Sequence, residues 1–346
     1  MKITVKDIAK QCNVSPGTVS RVLNNRTNVK EDTRQKVLAA IRDLNYDPFK
    51  NLPLVNNIKT RTIGLVLPSV ALDSSHPFDN RAILTVQAAA TERHYNCMLL
   101  TEDYIIRKTG EEFHQGSRTI PCDGLIFFCP RLNWDQYLKA IRTWEIPAVL
   151  IRRRTKVNGI AMINDNDFRG IQLVMEHLVS LGHTAIGLYS RDITRGYASG
   201  RPEGYKDFLF KHRMAHNPAF IYDDSQPARK PFTEWIQSAL ADRMTAVVCG
   251  DDMMAIDLIK QVQALGIKVP GDLAVTGYDN DYPAQYFMPG LTTVNIPVEE
   301  MNRMAIKLMD DYLQGINMEK VDIELENELV VRESSGSKKN ADRVKA

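Results

Sequence analysis

The chemistry-bearing residues nearest the N-terminus lie in one stretch, Ser-Pro-Gly-Thr-Val-Ser-Arg at positions 15–21. Its hydroxyl groups can bond phosphate oxygens, and the forked guanidinium of Arg21 can bond a guanine edge or clamp a phosphate. Gly17 has no side chain, so it permits a close approach by a partner. These residue types point to an anionic partner such as a nucleic acid. The exposed candidates for contacts with it are Thr4, Ser15, Pro16, Gly17, Thr18, Ser20, Arg21 and Asn24.

Three short helices are predicted around this stretch. Thr4 followed by Asp7 has the pattern of a capping box, and Ser15 with Pro16 is typical of the start of a second helix. A third helix is predicted over 31–44. Two helices joined by a tight turn make a helix-turn-helix unit, whose second helix would enter the DNA major groove. A small three-helix domain of another function would give the same pattern.

Basic side chains are concentrated at the same end of the chain. Residues 1–60 hold eleven Lys or Arg and five Asp or Glu, whereas the rest holds 33 basic and 37 acidic side chains. A basic segment on a slightly acidic body indicates an anionic partner at one end of the molecule. A merely solvated basic face remains an alternative interpretation.

From residue 61 onward, predicted strands alternate with predicted helices, and the alternation restarts after residue 165. Such alternation indicates parallel sheets covered on both faces, and the restart indicates two similar lobes. Strands are predicted at 62–68, 95–101, 122–130, 147–152, 184–190, 219–224, 245–250 and 273–279. Helices are predicted at 81–94, 134–144, 166–181, 201–212, 231–240 and 252–265.

The sequence lacks the spacings of common catalytic and cofactor motifs. It has no phosphate-binding or dinucleotide glycine loop, no zinc-protease helix and no serine-nucleophile elbow, and its seven histidines are not spaced as metal ligands. Its five cysteines form no CxxC pair, which indicates free thiols in a reducing compartment. It shows neither a signal peptide nor a long apolar run. We therefore expect a cytoplasmic protein without cofactor, metal, membrane contact or enzymatic activity.

The run TVKDIAKQCNVSPGTVSRVLN, followed by TRQKVLAAIRDLNYDP, resembles the DNA-binding headpiece of the lactose/galactose-repressor family. By that resemblance, Pro16, Gly17 and Arg21 occupy base-reading positions. The resemblance implies a transcriptional regulator, and more specifically a repressor, that binds a palindromic operator in double-stranded DNA as a homodimer.

The later motifs EHLVSLGHTAIGLYS, RPEGY, VTGYDN and LTTVNIPVEEM resemble the effector-binding core of the same family. The implied fold is an all-α helix-turn-helix headpiece plus an α/β, periplasmic-binding-protein-like core of two doubly wound parallel-sheet lobes. The expected division is a headpiece at 1–47, a hinge at 48–61, a first lobe at 62–162 plus 292–322, a second lobe at 163–291 plus 323–334, and a disordered tail at 335–346.

The hinge departs from the family pattern. Members of the family have a short hinge helix whose leucine wedges into the minor groove, and here Leu54 and Val55 stand at that point. Pro53 would interrupt the helix at a cost of about 3 kcal/mol. A shortened hinge helix and a plain extended linker are both compatible with this sequence.

The resemblance also implies an effector site at the carboxyl ends of the core strands, where such sheets bind ligands. Guanidinium and carboxylate forks would pair with the polar groups of an effector, and an aromatic wall would cover its apolar face. Each candidate has a structural alternative, such as Asp251 capping the following helix. The implied effector-binding residues are Phe78, Arg152, Arg195, Tyr197, Arg201, Asp251 and Asp279.

Arg152 departs from the family, which has an acid at this position. An extra guanidinium at a strand end suits a carboxylate or phosphate, so the effector could be anionic, such as a sugar acid or a sugar phosphate. Alternatively, Arg152 pairs with Asp251 or Asp279 and the effector is a neutral sugar or sugar derivative. Two further readings stay open: a regulator controlled by a protein partner, with a vestigial pocket, and a sugar-binding protein or enzyme.

Overall fold

The computed structural model describes residues 4–23, 29–44, 60–68, 77–109, 120–130, 134–143, 146–191, 200–226, 229–316 and 321–336. The chain divides into two compact units. The smaller unit holds the N-terminal helices, and the larger is an α/β unit that begins at Arg61. In the described residues no helix is both long enough and apolar enough to cross a membrane.

The small unit contains the three helices that the sequence predicts. Its core is apolar, with Ile8, Val19 and Val37 fully buried, one from each helix. Burial of each such side chain contributes about 1.5–3 kcal/mol. The helices are α1 Val5–Cys12, α2 Pro16–Leu23 and α3 Glu31–Asp43.

The turn between the first two helices follows from their capping residues. The predicted capping box is confirmed: the N–H and the hydroxyl of Thr4 both donate to the Asp7 carboxylate, each at 2.7 Å. Asn13 ends α1 in the left-handed conformation at φ 53°, which asparagine tolerates well. The Thr18 N–H donates to Ser15 Oγ at 3.1 Å, which caps the start of α2.

Twelve strands form the sheets of the α/β unit in the described residues. They are β1 Thr62–Leu67, β2 Asn96–Thr101, β3 Gly124–Phe128, β4 Ala148–Ile151, β5 Ala161–Asp165, β6 Ile186–Ser190, β7 Ile221–Asp223, β8 Ala246–Cys249, β9 Ala274–Thr276, β10 Thr293–Asn295, β11 Asp322–Leu325 and β12 Glu328–Val330.

Helices connect and cover these strands. They are α4 Pro77–Glu92, α5 Glu102–Thr109, α6 Asp135–Thr143, α7 Asp167–Ser180, α8 Gly200–Lys211, α9 Phe232–Ala241, α10 Asp252–Ala264, α11 Tyr282–Tyr286 and α12 Val298–Leu313.

The strands build two parallel sheets and a short antiparallel ribbon. The first sheet has six strands in the order β11-β5-β4-β3-β1-β2, and the second has four in the order β7-β6-β8-β9. Strands β3 and β4 are buried along their whole length because helices cover both faces of a parallel sheet. Strands β10 and β12 pair antiparallel in the ribbon. The described residues thus contain the predicted two-sheet α/β core.

The chain passes between the two sheets at different points from those implied by the expected lobe boundaries. Strands β5 and β11 pair in parallel within the six-stranded sheet, with Asp165 opposite Leu325 at the end of the pairing. The first crossing from the six-stranded sheet therefore begins after Asp165, and not at the expected boundary at 162–163. The third crossing begins after Leu325, and not at the expected boundary at 322. Tyr278 is buried where these connections meet, and its hydroxyl accepts from Asn327 in the third crossing at 2.9 Å.

The predicted start of the tail, at residue 335, is too early in the chain. Ser334 and Ser335 are buried in a short 3-10 helix. The Ser334 hydroxyl donates to the carbonyl of Val275 in β9 at 2.6 Å. The residue at 335 thus belongs to the folded unit because its hydroxyl also bonds Thr292. The hinge at 48–59 and the rest of the tail at 337–346 lie outside the described residues.

Candidate functional site

The small unit presents one exposed polar face. Val19 and Val22 of α2 point into the core, whereas Gly17, Ser20 and Arg21 are exposed on the opposite side. Thr4, Ser15 and Pro16 are also exposed, and Thr18 is partly buried. The first-turn N–H groups of a helix favour an anion in front of them. Asn24, Leu54 and Val55 lie outside the described residues.

In the α/β unit, two guanidinium groups and three carboxylates converge in the space between the two parallel sheets. Arg152 follows β4, Asp165 ends β5, and Asp167 opens α7 directly after the first crossing. Arg201 lies in the first turn of α8, and Asp279 follows β9. All five side chains are at least about nine-tenths buried, and we call them the buried charge cluster.

Asp167 joins the two arginines of the cluster. Its Oδ1 accepts from Arg152 Nη2 at 3.0 Å and from Arg201 Nε at 2.9 Å. Arg152 Nε donates in addition to Asp165 Oδ1 at 2.6 Å. Arg152 therefore pairs with Asp165 and Asp167, and not with the Asp251 or Asp279 that the sequence analysis named.

Arg201 connects this bridge to the four-stranded sheet. Its Nη2 donates to Asp279 Oδ1 at 3.2 Å, and its Nη1 donates to the carbonyl of Gly250 after β8. The guanidinium carbon lies 3.7 Å from the centre of the Tyr278 ring, a cation–π contact. Arg201 is thus held on three sides at the carboxyl ends of β8 and β9.

Phe78, which the sequence analysis expected to form an apolar wall of the effector site, lies beside the cluster. It is buried in the first turn of α4 and packs against Phe128 with ring centroids 5.5 Å apart. The Arg152 guanidinium lies 5.2 Å from its ring centre. Phe78 therefore adjoins the buried charge cluster from the side of the six-stranded sheet.

Left-handed backbone conformations occur at three strand ends that contribute to this region. The φ angles are 48° at Cys129, 58° at Arg152 and 107° at Asp279. Such conformations cost side-chain-bearing residues about 1–3 kcal/mol each and concentrate at functional sites. Here they turn the residues that follow β3, β4 and β9 out of their strands and toward the space between the sheets.

Burial and charge act in opposite directions on the acids of the cluster. Burial raises the pKa of Asp165 above its ordinary value, even though Arg152 opposes this. Burial would also raise the pKa of Asp167, but Arg201 and Arg152 outweigh it and hold that pKa below its ordinary value. Asp167 is therefore the carboxylate that stays ionised between the two guanidinium groups.

Asp251 has the structural role that the sequence analysis gave as the alternative to effector binding. Its Oδ1 accepts from the Met254 N–H at 2.7 Å and caps the start of α10. Arg195 and Tyr197 lie outside the described residues.

Sequence reasoning missed two acids and an amide of this region. Asp165 and Asp167 were not assigned, and neither was Asn327, whose Nδ2 donates to Asp165 Oδ2 at 2.9 Å. The signal available in the sequence was the acid-rich MINDND segment at 162–167, which spans the point where the predicted strand–helix alternation restarts. The need of a buried Arg152 for acidic partners could have pointed to it.

The comparisons with known proteins match both units. The model of bacterial regulatory proteins of the lacI family matches residues 4–48, and that of a periplasmic binding protein-like domain matches residues 175–335. The regulator NtdR of the NTD biosynthesis operon of Bacillus subtilis is 30% identical over 334 residues, covering 96% of this chain and 99% of that protein.

Two further matches extend along nearly the whole chain. The HTH-type transcriptional repressor PurR of Photobacterium profundum is 30% identical over 335 residues, which cover 96% of this chain and 98% of that protein. The structure of the transcriptional regulator CelR in complex with cellobiose has a TM-score of 0.67 and 26% identity, and the match covers 96% of this chain and 100% of that one.

A helix-turn-helix headpiece followed by a parallel-sheet binding core, with transcriptional repressors among the relatives that match it, identifies a DNA-binding transcriptional repressor and not an enzyme. The relatives match over nearly their full length. The chain belongs to the lacI family of bacterial regulatory proteins.

Replacing Asp167 with asparagine removes the negative charge between two buried guanidinium groups. We expect the free energy of unfolding at pH 7 to fall by about 3–5 kcal/mol, the usual cost of breaking a buried ion pair. Because the pKa of Asp167 is lowered in the folded state, the difference from the wild type is complete above pH ~4 and shrinks at lower pH.

Urea denaturation at pH 7 and at pH values below about 4 measures the difference in the free energy of unfolding. The control is Asp242→Asn, because Asp242 is exposed. An Asp167→Asn protein as stable as the control at pH 7 would contradict the assigned bridge.

Proposed function

We propose that this repressor binds a palindromic operator as a homodimer and that a small, neutral, polar effector between the two sheets controls it. The effector class is a sugar or a sugar derivative. The observation that carries the proposal is the convergence of Arg152, Arg201, Asp279 and Phe78 between the carboxyl ends of two parallel sheets. Ligands of such folds bind at this place.

The chemistry of the cluster suits hydroxyl groups. Buried guanidinium and carboxylate groups supply donors and acceptors in fixed directions, and Phe78 supplies an aromatic face for the apolar side of a sugar ring. The CelR structure, at 26% identity, is a complex with cellobiose, which supports a carbohydrate as the class.

The pairing of the arginines favours a neutral effector over an anionic one. An anion would need positive charge that is not already compensated. Arg152 bonds Asp165 and Asp167, and Arg201 bonds Asp167 and Asp279. Both guanidinium groups of the cluster are thus already paired with acids, so a sugar acid or sugar phosphate would find no uncompensated positive charge there.

An exposed apolar patch on the α/β unit supports the homodimer. Tyr282, Tyr286 and Met288 are 70%, 66% and 79% exposed, and the two tyrosine rings are in contact, with centroids 4.7 Å apart. Clustered large apolar side chains at the surface commonly mark a protein interface. A second copy as the occupant agrees with a palindromic site, since a two-fold operator pairs with a two-fold protein.

Replacing Arg21 with alanine tests the DNA-binding half of the proposal. We expect the affinity for the cognate palindrome to fall by about 1–3 kcal/mol, because in the proposed complex the exposed Arg21 bonds a base edge or a phosphate. Fluorescence anisotropy at several salt concentrations measures the affinity. We expect the titration to give a stoichiometry of two chains for each duplex.

Lys36→Ala removes an exposed charge from α3 of the same unit and is the control. Equal DNA affinities of the Arg21→Ala and Lys36→Ala proteins would contradict the proposed role of Arg21 in operator recognition.

Replacing Asp279 with asparagine tests the effector half. Sugars, sugar acids and sugar phosphates are first screened by thermal shift on the full chain, and hits are measured by calorimetry. We expect a neutral sugar or sugar derivative to bind, and its affinity to fall about tenfold or more in Asp279→Asn because a charge-assisted hydrogen bond is lost.

Asp242→Asn is the control, and circular dichroism checks that the Asp279→Asn protein folds. Binding only by acids or phosphates would contradict the neutral class. A chain that binds no compound of the panel would favour control by a protein partner.

A further inference from the structure

Asp281 is a buried acid without hydrogen-bonding partners for its carboxyl group. The residue is fully buried two positions after Asp279. Neither of its carboxyl oxygens has a hydrogen-bond partner among the described residues. Burying an isolated carboxylate anion is very costly, so this side chain requires a compensating charge or a bound proton.

The groups around Asp281 are mostly acids. Asp252, at the start of α10, accepts from the Asp281 N–H at 2.7 Å and from the Thr293 hydroxyl of β10. Asp279 is paired with Arg201 at 3.2 Å, and Asp251 caps α10. Asp281 therefore has three neighbouring carboxyl groups, each of which already has its own donors.

Arg81 is the nearby cation, and its guanidinium is already bonded elsewhere. Its Nε and Nη2 donate to the two carboxylate oxygens of Glu299 at 2.7 and 2.6 Å. Its Nη1 donates to the backbone carbonyl of Asp279 at 3.1 Å. Arg81 attracts Asp281 through space but makes no hydrogen bond to its carboxyl group.

We infer that Asp281 binds a proton in the folded repressor and stays neutral at neutral pH. The neutral carboxyl lets the turn at 279–281 remain packed on β10. Strand β10 lies in the second crossing, the stretch of chain between β9 of the four-stranded sheet and α12. Within the described residues no three His, Cys, Asp or Glu side chains, these acids included, are arranged so that they could hold a metal ion, which favours a proton over a divalent cation. The inference goes beyond the proposed function and does not depend on the effector.

The electrostatics agree with this assignment. Burial, and then the neighbouring Asp279 and Asp252, raise the pKa of Asp281 to about 9. Burial also raises the pKa of Asp252, but two donors stabilise the Asp252 anion and none stabilises the Asp281 anion. The proton of this pair therefore belongs on Asp281.

The proton makes the second crossing sensitive to pH. In the unfolded chain an aspartate has its ordinary pKa of 3.8, so between that value and about 9 only the folded state holds the proton. Asp281 therefore lowers stability progressively as pH rises through this window. Its ionisation also places a second negative charge beside the Asp252–Thr293 hydrogen bond, which would loosen β10 from α10.

The experiment compares wild type, Asp281→Asn and Asp242→Asn as full-length chains in urea denaturation from pH 5 to pH 8. Asparagine mimics the protonated acid. We expect the unfolding constant of the wild type to rise relative to Asp281→Asn by up to about tenfold for each pH unit. Asp242→Asn should follow the wild type, because Asp242 is exposed.

Carboxyl carbon NMR on aspartate-labelled protein gives a direct second measurement. One resonance absent from Asp281→Asn should have the shift of a protonated carboxyl at pH 7 and titrate at higher pH. A resonance that is already ionised at pH 7, or parallel stability profiles of wild type and Asp281→Asn, would overturn the inference. So would stabilisation of the wild type, but not of Asp281→Asn, by added Mg²⁺, Ca²⁺ or K⁺, since an ion would then replace the proton.

Discussion

The bridge that Asp167 makes between Arg152 and Arg201 is the interaction on which the core depends. Arg152 extends from the six-stranded sheet, and Arg201 lies on α8, which is anchored to the four-stranded sheet by the Tyr205 hydroxyl on the carbonyl of Ile186 at 2.7 Å. One carboxylate oxygen accepts from both guanidinium groups. Since an unpaired buried charge is very costly, the two sheets cannot separate at this point without replacing these bonds.

This constraint explains how a ligand between the sheets could alter the repressor. An effector that bonds Arg201 or Asp279 would compete with bonds inside the cluster or add to them. It would shift the equilibrium between two arrangements of the sheets. The size of this shift, as a free energy, equals the difference between its binding free energies to the two arrangements. A coupling of about 1–3 kcal/mol is enough for allosteric control, which is within the range of one charge-assisted hydrogen bond.

Local sequence patterns predicted most of the fold. The three headpiece helices follow from capping residues and apolar spacing, and the parallel strands follow from short apolar runs between helices. Helix α12 was not predicted, although Val298, Met301, Ala305 and Met309 are buried at helical spacing. Its apolar spacing overlaps the family motif LTTVNIPVEEM, which by itself indicates no secondary structure.

The pairing inside the site could not be read from local patterns. Arg152 was singled out as unusual, but Asp165 and Asp167 became its partners through the pairing of β5 with β4 and the first crossing, which are long-range features. Asp251 is the opposite case. The resemblance implied that it binds the effector, whereas in the structure it caps the helix that directly follows it in the chain. Resemblance indicated the region of the site, whereas tertiary packing determined which charges meet.

A double-mutant cycle tests the central claim most directly. The free energy of unfolding is measured for Arg152→Gln, Arg201→Gln and the double variant, both with Asp167 and in an Asp167→Asn background. If Asp167 couples the two arginines, their effects should be non-additive by about 1 kcal/mol or more, and the coupling should disappear in the Asp167→Asn background. Effects that add to within about 0.5 kcal/mol while Asp167 is present would contradict the account.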